Sequence, residues 1–110
     1  MAQEMTDDQL ELIAQRFRVL SDPMRLKILH HLRAGESSVG GLVELTGTSQ
    51  PNVSKHLSIL RSSGLVSRRQ VGNSAYFAIG APFVFELCDT VCDGIRQELE
   101  QKQSAFDGSS

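Results

Sequence analysis

The chain has 110 residues with 13 acidic and 11 basic side chains, a formal net charge of −2. Its length predicts one domain over residues 1–110, large enough to bury roughly two-thirds of its unfolded surface. It contains no apolar run long enough to cross a bilayer and no signal-peptide pattern, so we expect a cytoplasmic protein without a membrane partner.

The net charge hides a strong asymmetry along the chain. Residues 1–22 hold two basic and five acidic side chains (net −3), residues 23–74 hold seven and two (net +5), and residues 75–110 hold two and six (net −4). Because local charge decides where a polyanion docks, the acidic ends do not exclude nucleic acid as a partner of the central segment.

The chain begins with an amphipathic helix predicted from Thr6 or Asp7 to Leu20, after residues 1–5, which we expect to be disordered. Its apolar positions recur at alternating intervals of three and four residues: Leu10, Ile13, Phe17 and Leu20. Ser21-Asp22-Pro23 ends this helix and caps a second one, predicted from Pro23 to about Ala34. The second helix is predicted to bury Ile28, Leu29 and Leu32.

Two helices joined by a glycine turn follow. Ser37-Ser38 caps a short helix predicted from Val39 to Thr46, with three inward positions: Val39, Leu42 and Leu45. After Gly47 and Thr48, the next helix has Ser49 as its N-cap, Pro51 in its first turn and Gly64 at the left-handed C′ position. A short helix, a turn and a second helix with a polar face form the helix-turn-helix pattern.

The helix that begins after Ser49 has a face suited to DNA. Its apolar stripe is Val53, Leu57 and Leu60, with Ile59 beside it, and the other face is short and polar: Gln50, Asn52, Ser54, Lys55 and Ser58. No acid lies between Gln50 and Gly64, where a carboxylate would repel phosphate. We expect Gln50, Asn52 and Ser54 to read bases in the major groove, and Ser49 and Lys55 to bind the backbone.

The periodicity then changes from helix to strand. Leu65–Val71 and Ser74–Ile79 are strand-like, and Gly72-Asn73 between them predicts a two-residue hairpin. This hairpin has the position of a wing, and we expect Arg68, Arg69 and Asn73 to contact the phosphate backbone or the minor groove.

Pro82 opens a last helix predicted to reach about Gln103, and we expect residues 104–110 to be disordered. Its apolar positions again alternate by three and four: Phe85, Cys88, Cys92, Ile95 and Leu99. A domain this small has no room to bury two long amphipathic helices at its ends. We therefore predict a mainly α fold with a small β-hairpin, a winged helix-turn-helix whose first and last helices form a homodimer seam.

Cys88 and Cys92 are the two cysteines of the chain. Four residues apart on one helix, they make a poor disulfide framework and suit reduced thiols. Two thiolates on one helix face suit a soft ion such as As(III) or Sb(III), or a mercurial, so they are a candidate inducer site. The alternative is that both fill an apolar stripe, since free cysteine is among the most buried residue types.

Several polar residues have two interpretations. His30 and His31 point about 100° apart and are interpreted as structural rather than as a metal site. For His56 we favour packing and a backbone hydrogen bond over a base contact. Arg25, Lys27 and Arg61 remain open between phosphate contact and solvation.

The sequence does not indicate an enzyme, because it contains no glycine-rich phosphate loop and no nucleophile with an evident base. The main alternative to a DNA-binding regulator is a winged helix that serves only to bind proteins. The acid-free face argues against it, because a protein-docking face has no need to exclude carboxylates.

Three motifs together resemble the ArsR/SmtB winged-helix repressors of bacteria and archaea. They are Leu20-Ser-Asp-Pro-Met-Arg-Leu-Lys-Ile-Leu29, Ser49-Gln-Pro-Asn-Val-Ser-Lys-His-Leu57 and Leu60-Arg-Ser-Ser-Gly-Leu-Val66, followed by Tyr76 in the returning strand. The resemblance implies a homodimer that binds an inverted-repeat operator near its own promoter and is released by an inducer.

The inducer sites of that family do not match this chain. The Cys-x-Cys of its arsenic and lead sensors falls on Ser38 and Gly40. The ligands of its zinc sensors fall on four residues that do not bind zinc: Ala81, Phe83, Gly94 and Gln97. The cysteines of its persulfide sensors fall on His30 and near Arg96. A sensor at Cys88 and Cys92, or a regulator without a thiol sensor, remains.

Overall fold

A computed structural model describes the backbone of residues 4–107 and the side chains of residues 4–105. Within these residues the chain forms five helices and one antiparallel sheet of three strands. The elements in chain order are α1 (Asp7–Leu20), α2 (Pro23–Leu32), β1 (Ser37–Ser38), α3 (Val39–Thr46), α4 (Gln50–Ser62), β2 (Val66–Val71), β3 (Ser74–Ile79) and α5 (Phe83–Asp107). The predicted winged helix-turn-helix is confirmed.

Asp22, Ser38 and Ser49 are the N-caps of α2, α3 and α4, as the sequence predicts, and Thr6 is the N-cap of α1. Asp22 accepts hydrogen bonds from the backbone N–H groups of Met24 at 2.8 Å and Arg25 at 3.2 Å. These bonds satisfy donors that the helix itself leaves unpaired. The predicted cap residues therefore fix where the helices start.

The sheet contains a strand that the sequence did not reveal. Ser37 and Ser38 pair antiparallel with Phe77 and Tyr76 of β3, so the strand order is β1-β3-β2. Two residues are too few to show the alternation by which a strand is recognised, and Ser38 also caps α3. This strand ties the start of the helix-turn-helix to the wing.

The core lies between α2, α3, α4 and the sheet. The predicted buried residues of α2 and α4 are buried, with Ile28 and Val53 at 0% exposure. The prediction for Leu45 is wrong, because this residue is 52% exposed. Positions 39, 42 and 45 drift around the helix by about 60° per step, so Thr46 instead lies under Leu42, and its hydroxyl donates to the Leu42 carbonyl at 2.6 Å.

The chain passes from α4 into the wing at Gly64, which lies close to Gly80. Gly64 has φ +75°, the left-handed conformation predicted for the C′ position, and the Leu65 N–H donates to the Leu60 carbonyl at 2.9 Å. A side chain at Gly80 would place its Cβ 3.0 Å from the Gly64 carbonyl oxygen. The return strand therefore packs directly on the end of α4, which fixes the wing relative to that helix.

The ends of the chain differ in part from the sequence prediction. Helix α5 continues to Asp107, so the prediction of disorder over residues 104–110 is wrong for residues 104–107. Residues 95–107 contain no glycine or proline that would end the helix earlier. Glu4 and Met5 precede α1 without regular structure, while residues 1–3 and 108–110 lie outside the described residues.

Smaller shifts occur at two other element ends. Helix α2 ends at Leu32, two residues before its predicted end, and β2 begins at Val66, one residue after its predicted start. Such shifts at element ends leave the topology unchanged. Among residues 4–107, no helix is long and apolar enough to span a membrane.

Candidate nucleic-acid interface

Helix α4 presents one continuous polar face. Gln50, Ser54, Ser58 and Arg61 are all exposed, and their spacing of four, four and three residues places them along one side of the helix. Val53, Leu57 and Leu60 on the other side are buried. Lys55 is exposed beside the polar row. Small side chains at two of these positions let the helix backbone approach a ligand closely.

The sequence on both sides of α4 is also free of acids. From Leu45 to Phe85 the chain contains no aspartate or glutamate. The same stretch carries four cationic side chains: Lys55, Arg61, Arg68 and Arg69. The surface formed by α4 and the wing is therefore positive although the whole chain is negative, and it attracts a polyanion.

The first turn of α4 is held by its own polar residues. The Ser49 hydroxyl accepts from the Asn52 backbone N–H at 3.3 Å, and the Asn52 side-chain amide donates to the Thr48 hydroxyl at 3.0 Å. Asn52 is half-buried, whereas Gln50 is exposed. Of the residues predicted to read bases, Gln50 and Ser54 thus lie on the open face, and Asn52 also fixes the turn that presents them.

The wing is the predicted hairpin. Its strands pair from Val66 with Ile79 to Val71 with Ser74, which leaves Gly72 and Asn73 as a two-residue loop. Gly72 has φ +58°, as this turn requires. Asn73 is exposed at the tip, where the sequence placed it.

Arg68 lies on the side of the wing that faces α4. Together with Ser54, Ser58 and Arg61 it lines a cleft of about 150 Å³ between the wing and α4. Arg68 Nη2 donates to Gln70 Oε1 at 2.7 Å, and Gln70 Nε2 donates to the Gly72 carbonyl at 2.9 Å. This polar row runs to the hairpin tip, and the two-residue alternation from Arg68 was the signal that could have identified Gln70.

Arg69 lies on the opposite side of the wing. Its guanidinium forms an ion pair with the Glu36 carboxylate and lies 5.7 Å from the centre of the Tyr76 ring. The hydrogen bond to Glu36 and the charge of this carboxylate raise the pKa of Arg69 above its usual value. The structure therefore separates the two wing arginines that the sequence assigned together to DNA.

Behind the polar face of α4, two basic side chains of α2 contact α3 and α4. His56 is 6% exposed, so the predicted packing role is confirmed, but its partner is the Arg25 side chain rather than the backbone: Arg25 Nη1 lies 3.3 Å from His56 Nδ1. Lys27 Nζ donates to the Thr46 carbonyl at 3.1 Å. Two of the three basic residues that the sequence left open, Arg25 and Lys27, are thus engaged by protein atoms.

The terminal helices carry the largest unburied apolar surface. Phe17 on α1 is 53% exposed, and Val91, Ile95 and Leu99 on α5 are 53%, 51% and 59% exposed. The radius of gyration is 17.8 Å, against about 13 Å for a compact chain of this length. Side chains of residues 91–105 are all exposed, so the second half of α5 extends away from the rest of the chain.

An apolar groove of about 550 Å³ lies between these helices and α2. It is lined by Phe17, Leu20, Leu26, Leu87, Cys88, Val91, Cys92 and Ile95, with Ser21 and Arg96 at its polar edge. Cys88 is half-buried, Cys92 is exposed, and both are free thiols. Among residues 4–107, no three or more His, Cys, Asp or Glu side chains come close enough to hold a metal ion, so one subunit offers the two thiols alone.

A helix-turn-helix followed by a β-hairpin, with an acid-free face on its second helix, defines the winged helix-turn-helix class. The family model described as "Bacterial regulatory protein, arsR family" matches residues 22–68. The chain belongs to this family. Membership in a family of regulatory proteins confirms the prediction of a regulator rather than an enzyme.

Two relatives illustrate the sequence similarity. A probable mercury resistance operon repressor of Streptomyces lividans is 45% identical over 74 residues, which cover 67% of this chain and 59% of the relative. The transcriptional repressor SmtB homolog of a Synechocystis species is 34% identical over 93 residues, covering 84% of this chain and 70% of the relative. The chain thus spans less than two-thirds of the first relative.

Two solved structures illustrate the structural similarity. The crystal structure of Mycobacterium tuberculosis Rv0081 superposes with a TM-score of 0.78 and 31% identity, over 88% of this chain and 98% of that one. The homodimeric winged helix-turn-helix domain of Mycobacterium bovis Mb0332, solved by NMR, superposes with a TM-score of 0.72 and 31% identity, over 84% and 91% of the two chains.

Proposed function

We propose that this protein is a homodimeric transcriptional repressor that binds double-stranded DNA with α4 in the major groove. The exposed, acid-free face of α4 carries the proposal. Gln50, Asn52 and Ser54 at its N-terminal end are assigned to base reading, because a groove-bound helix contacts bases with its first turns. Ser49 and Lys55 are assigned to the phosphate backbone.

The cleft between α4 and the wing supports a backbone contact beside the helix. Arg61 and Arg68 both line it, together with the hydroxyl side chains of Ser54 and Ser58, and no carboxylate is among its lining residues. Two guanidinium groups at one cleft favour a shared anion, and a phosphate of the DNA backbone satisfies both. We assign Arg68 rather than Arg69 to this contact, because Glu36 already pairs with Arg69.

The terminal helices support the homodimer. A second copy that covers the apolar stripes of α1 and α5 removes their exposed side chains from water, and the Mycobacterium bovis relative is described as homodimeric. Two subunits present two α4 helices to the half-sites of an inverted repeat, about 34 Å apart along the DNA. A bacterial protein with this function works in the cytoplasm, where the chromosome lies.

The test begins with duplexes selected from a random DNA library by the reduced protein, followed by fluorescence anisotropy at increasing salt. We expect the selected duplexes to contain an inverted repeat and binding to weaken steeply with salt. Gln50→Ala should reduce the preference for the selected sequence, whereas Gln97→Ala on α5 should not. A protein that selects no sequence and shows no salt-dependent DNA binding would instead be a protein-interaction module.

Release of the DNA is assigned to a thiol-reactive inducer at Cys88 and Cys92. Both thiols line the groove next to the proposed seam, and Cys92 is exposed in a single subunit. A soft ion such as Hg(II), As(III) or Sb(III) that joins thiolates of two subunits would change how the subunits meet. The Streptomyces lividans relative, described as a mercury resistance repressor, supports a test with mercury. A regulator without a thiol sensor is the alternative.

The inducer test adds arsenite or a mercuric salt to the reduced protein bound to its selected duplex. We expect release from the wild type, while Cys88→Ser should keep its DNA affinity and stay bound. The variant with both Cys88→Ser and Cys92→Ser contains no thiol, so it reports any effect of the ions elsewhere. Normal release from Cys88→Ser would remove this thiol from the sensor. If neither ion releases the wild type from DNA, the two cysteines have a packing role only.

A further inference from the structure

The Arg25 side chain joins three helices. Arg25 lies in the first turn of α2, and its Nε donates to the Val19 carbonyl, in the last turn of α1, at 2.6 Å. The last carbonyls of a helix have no partner within it, so this bond satisfies one of them and places a cation at the negative end of α1. The other end of the guanidinium reaches His56 of α4.

This contact defines which ring nitrogen of His56 accepts a hydrogen bond. A guanidinium has N–H donors and no acceptor, so His56 Nδ1 must accept with its lone pair. The bond therefore requires the tautomer with its proton on Nε2. Because His56 is 6% exposed, little water competes for the bond.

Asp22, the cap of α2, is an acid whose charge acts on Arg25. Burial raises the pKa of Asp22, but hydrogen bonds from the backbone N–H groups of Arg25 and Met24, together with the charge of Arg25, lower it below its usual value. Asp22 therefore stays ionised beside Arg25. The carboxylate and the Arg25 guanidinium attract each other.

We propose that Arg25 and His56 form a positioning pair, which sets the angle of the recognition helix α4 relative to the dimer helix α1. This inference rests on the proposed function, in which two α4 helices read two half-sites. The angle between α1 and α4 then decides how far apart the two recognition helices lie. In this proposal neither side chain contacts DNA, because two nitrogens of Arg25 bind protein atoms and His56 is buried.

Three substitutions test the pair on the selected duplex. Arg25→Gln removes the charge and cannot span both partners. His56→Phe keeps a ring without an acceptor, and His56→Asn keeps an acceptor near the position of Nδ1. We expect Arg25→Gln and His56→Phe each to weaken binding about tenfold, and His56→Asn about threefold or less. The double variant with Arg25→Gln and His56→Phe should bind DNA no more weakly than whichever single variant binds more weakly.

Salt dependence distinguishes positioning from a phosphate contact. Arg25→Gln should leave the slope of log affinity against log salt unchanged. A slope smaller by about 0.9 per subunit would show that Arg25 neutralises a phosphate, and it would overturn the inference. The inference would also be overturned if the fold loss of affinity in the double variant equalled the product of the two single losses. Single variants with wild-type affinity would overturn it as well.

Half-site spacing distinguishes positioning from a general loss of stability. The selected duplex is lengthened or shortened by one base pair between its half-sites, and binding is measured well below the melting temperature of each protein. The wild type should discriminate sharply between these duplexes, and Arg25→Gln should discriminate less. Discrimination equal to that of the wild type would mean that Arg25 contributes stability alone.

The tautomer of His56 gives a test that needs neither DNA nor a variant. Nitrogen-15 NMR of the imidazole at neutral pH should show the proton on Nε2. A proton on Nδ1, or a cationic ring, would overturn the pair even if the substituted proteins failed to fold. If the wild type bound no duplex, the proposed function would fail, while this spectrum would still decide whether the Arg25–His56 contact exists.

Discussion

The two arginines of the wing make a matched pair for testing the DNA interface. Arg68 and Arg69 are adjacent in β2, are both exposed and carry the same charge, but they lie on opposite sides of the strand. Arg68 lines the cleft against α4, whereas Arg69 is paired with Glu36. Each alanine substitution therefore removes one positive charge from the same strand. Arg68→Ala removes it from the side that faces α4, and Arg69→Ala removes it from the side that faces Glu36.

The expected effect follows from counterion release. Each phosphate contact contributes about 0.9 to the slope of log affinity against log salt, so two Arg68 side chains in a bound dimer contribute about 1.8. When salt rises from about 50 to about 200 mM, this difference amounts to about a twelvefold change in relative affinity. Arg68→Ala should therefore bind much more weakly than the wild type at low salt and approach it at high salt.

Fluorescence anisotropy on one selected duplex, repeated over this salt range, measures both variants. Arg69→Ala should keep the wild-type slope, because its guanidinium faces Glu36 and away from α4. Its affinity should fall little, since an exposed charge acts weakly beyond a Debye length of about 8 Å. Equal slope losses in the two variants, or a larger loss in Arg69→Ala, would refute the assignment of Arg68 to DNA.

Three further predictions use other parts of the chain. Lys55→Ala should weaken binding to all duplexes alike and lower the salt slope by about one unit per subunit in the same assay; an unchanged slope removes Lys55 from the interface. Asp22 has a lowered pKa in the folded state, so its ionic stabilisation is present above the ordinary value of 3.8 and is lost as the pH falls through the folded value. Urea unfolding of Asp22→Asn should therefore show a weaker loss of stability from about pH 5 to about pH 3 than the wild type, and equal pH profiles contradict this. Ile95→Glu should convert the dimer to a monomer in light scattering, unlike the control Gln97→Glu on the same helix, and a dimeric Ile95→Glu removes this face from the seam.

Local sequence determined most of the elements. Capping side chains act on donors two or three residues away, and apolar periodicity records which face of one element is buried. Asp22, Ser49 and Gly64 therefore predicted the helix ends, and Gly72-Asn73 predicted the hairpin. The acid-free face of α4 was also visible in the sequence, because it depends on side chains within one helix.

Periodicity failed where a segment was short or where a spacing drifted. Strand β1 has two residues and shows no pattern of its own, so its pairing with β3 was missed. Leu45 fitted an interval of three residues from Leu42, but the inward position belongs to Thr46, one residue further on. The partner strand decided the structure of β1, and the helical rotation between positions 42 and 45 decided the exposure of Leu45.

The sequence by itself thus determined the order of elements and the residue types on each face. Only the tertiary structure decided which polar side chains remain available to a partner. Arg25 and His56 are 31 residues apart in the chain, and Arg69 and Glu36 are 33 apart. A local pattern cannot encode such contacts, because they depend on how the helices and the sheet pack against one another. For this reason the sequence grouped Arg68 with Arg69, and the fold separated them.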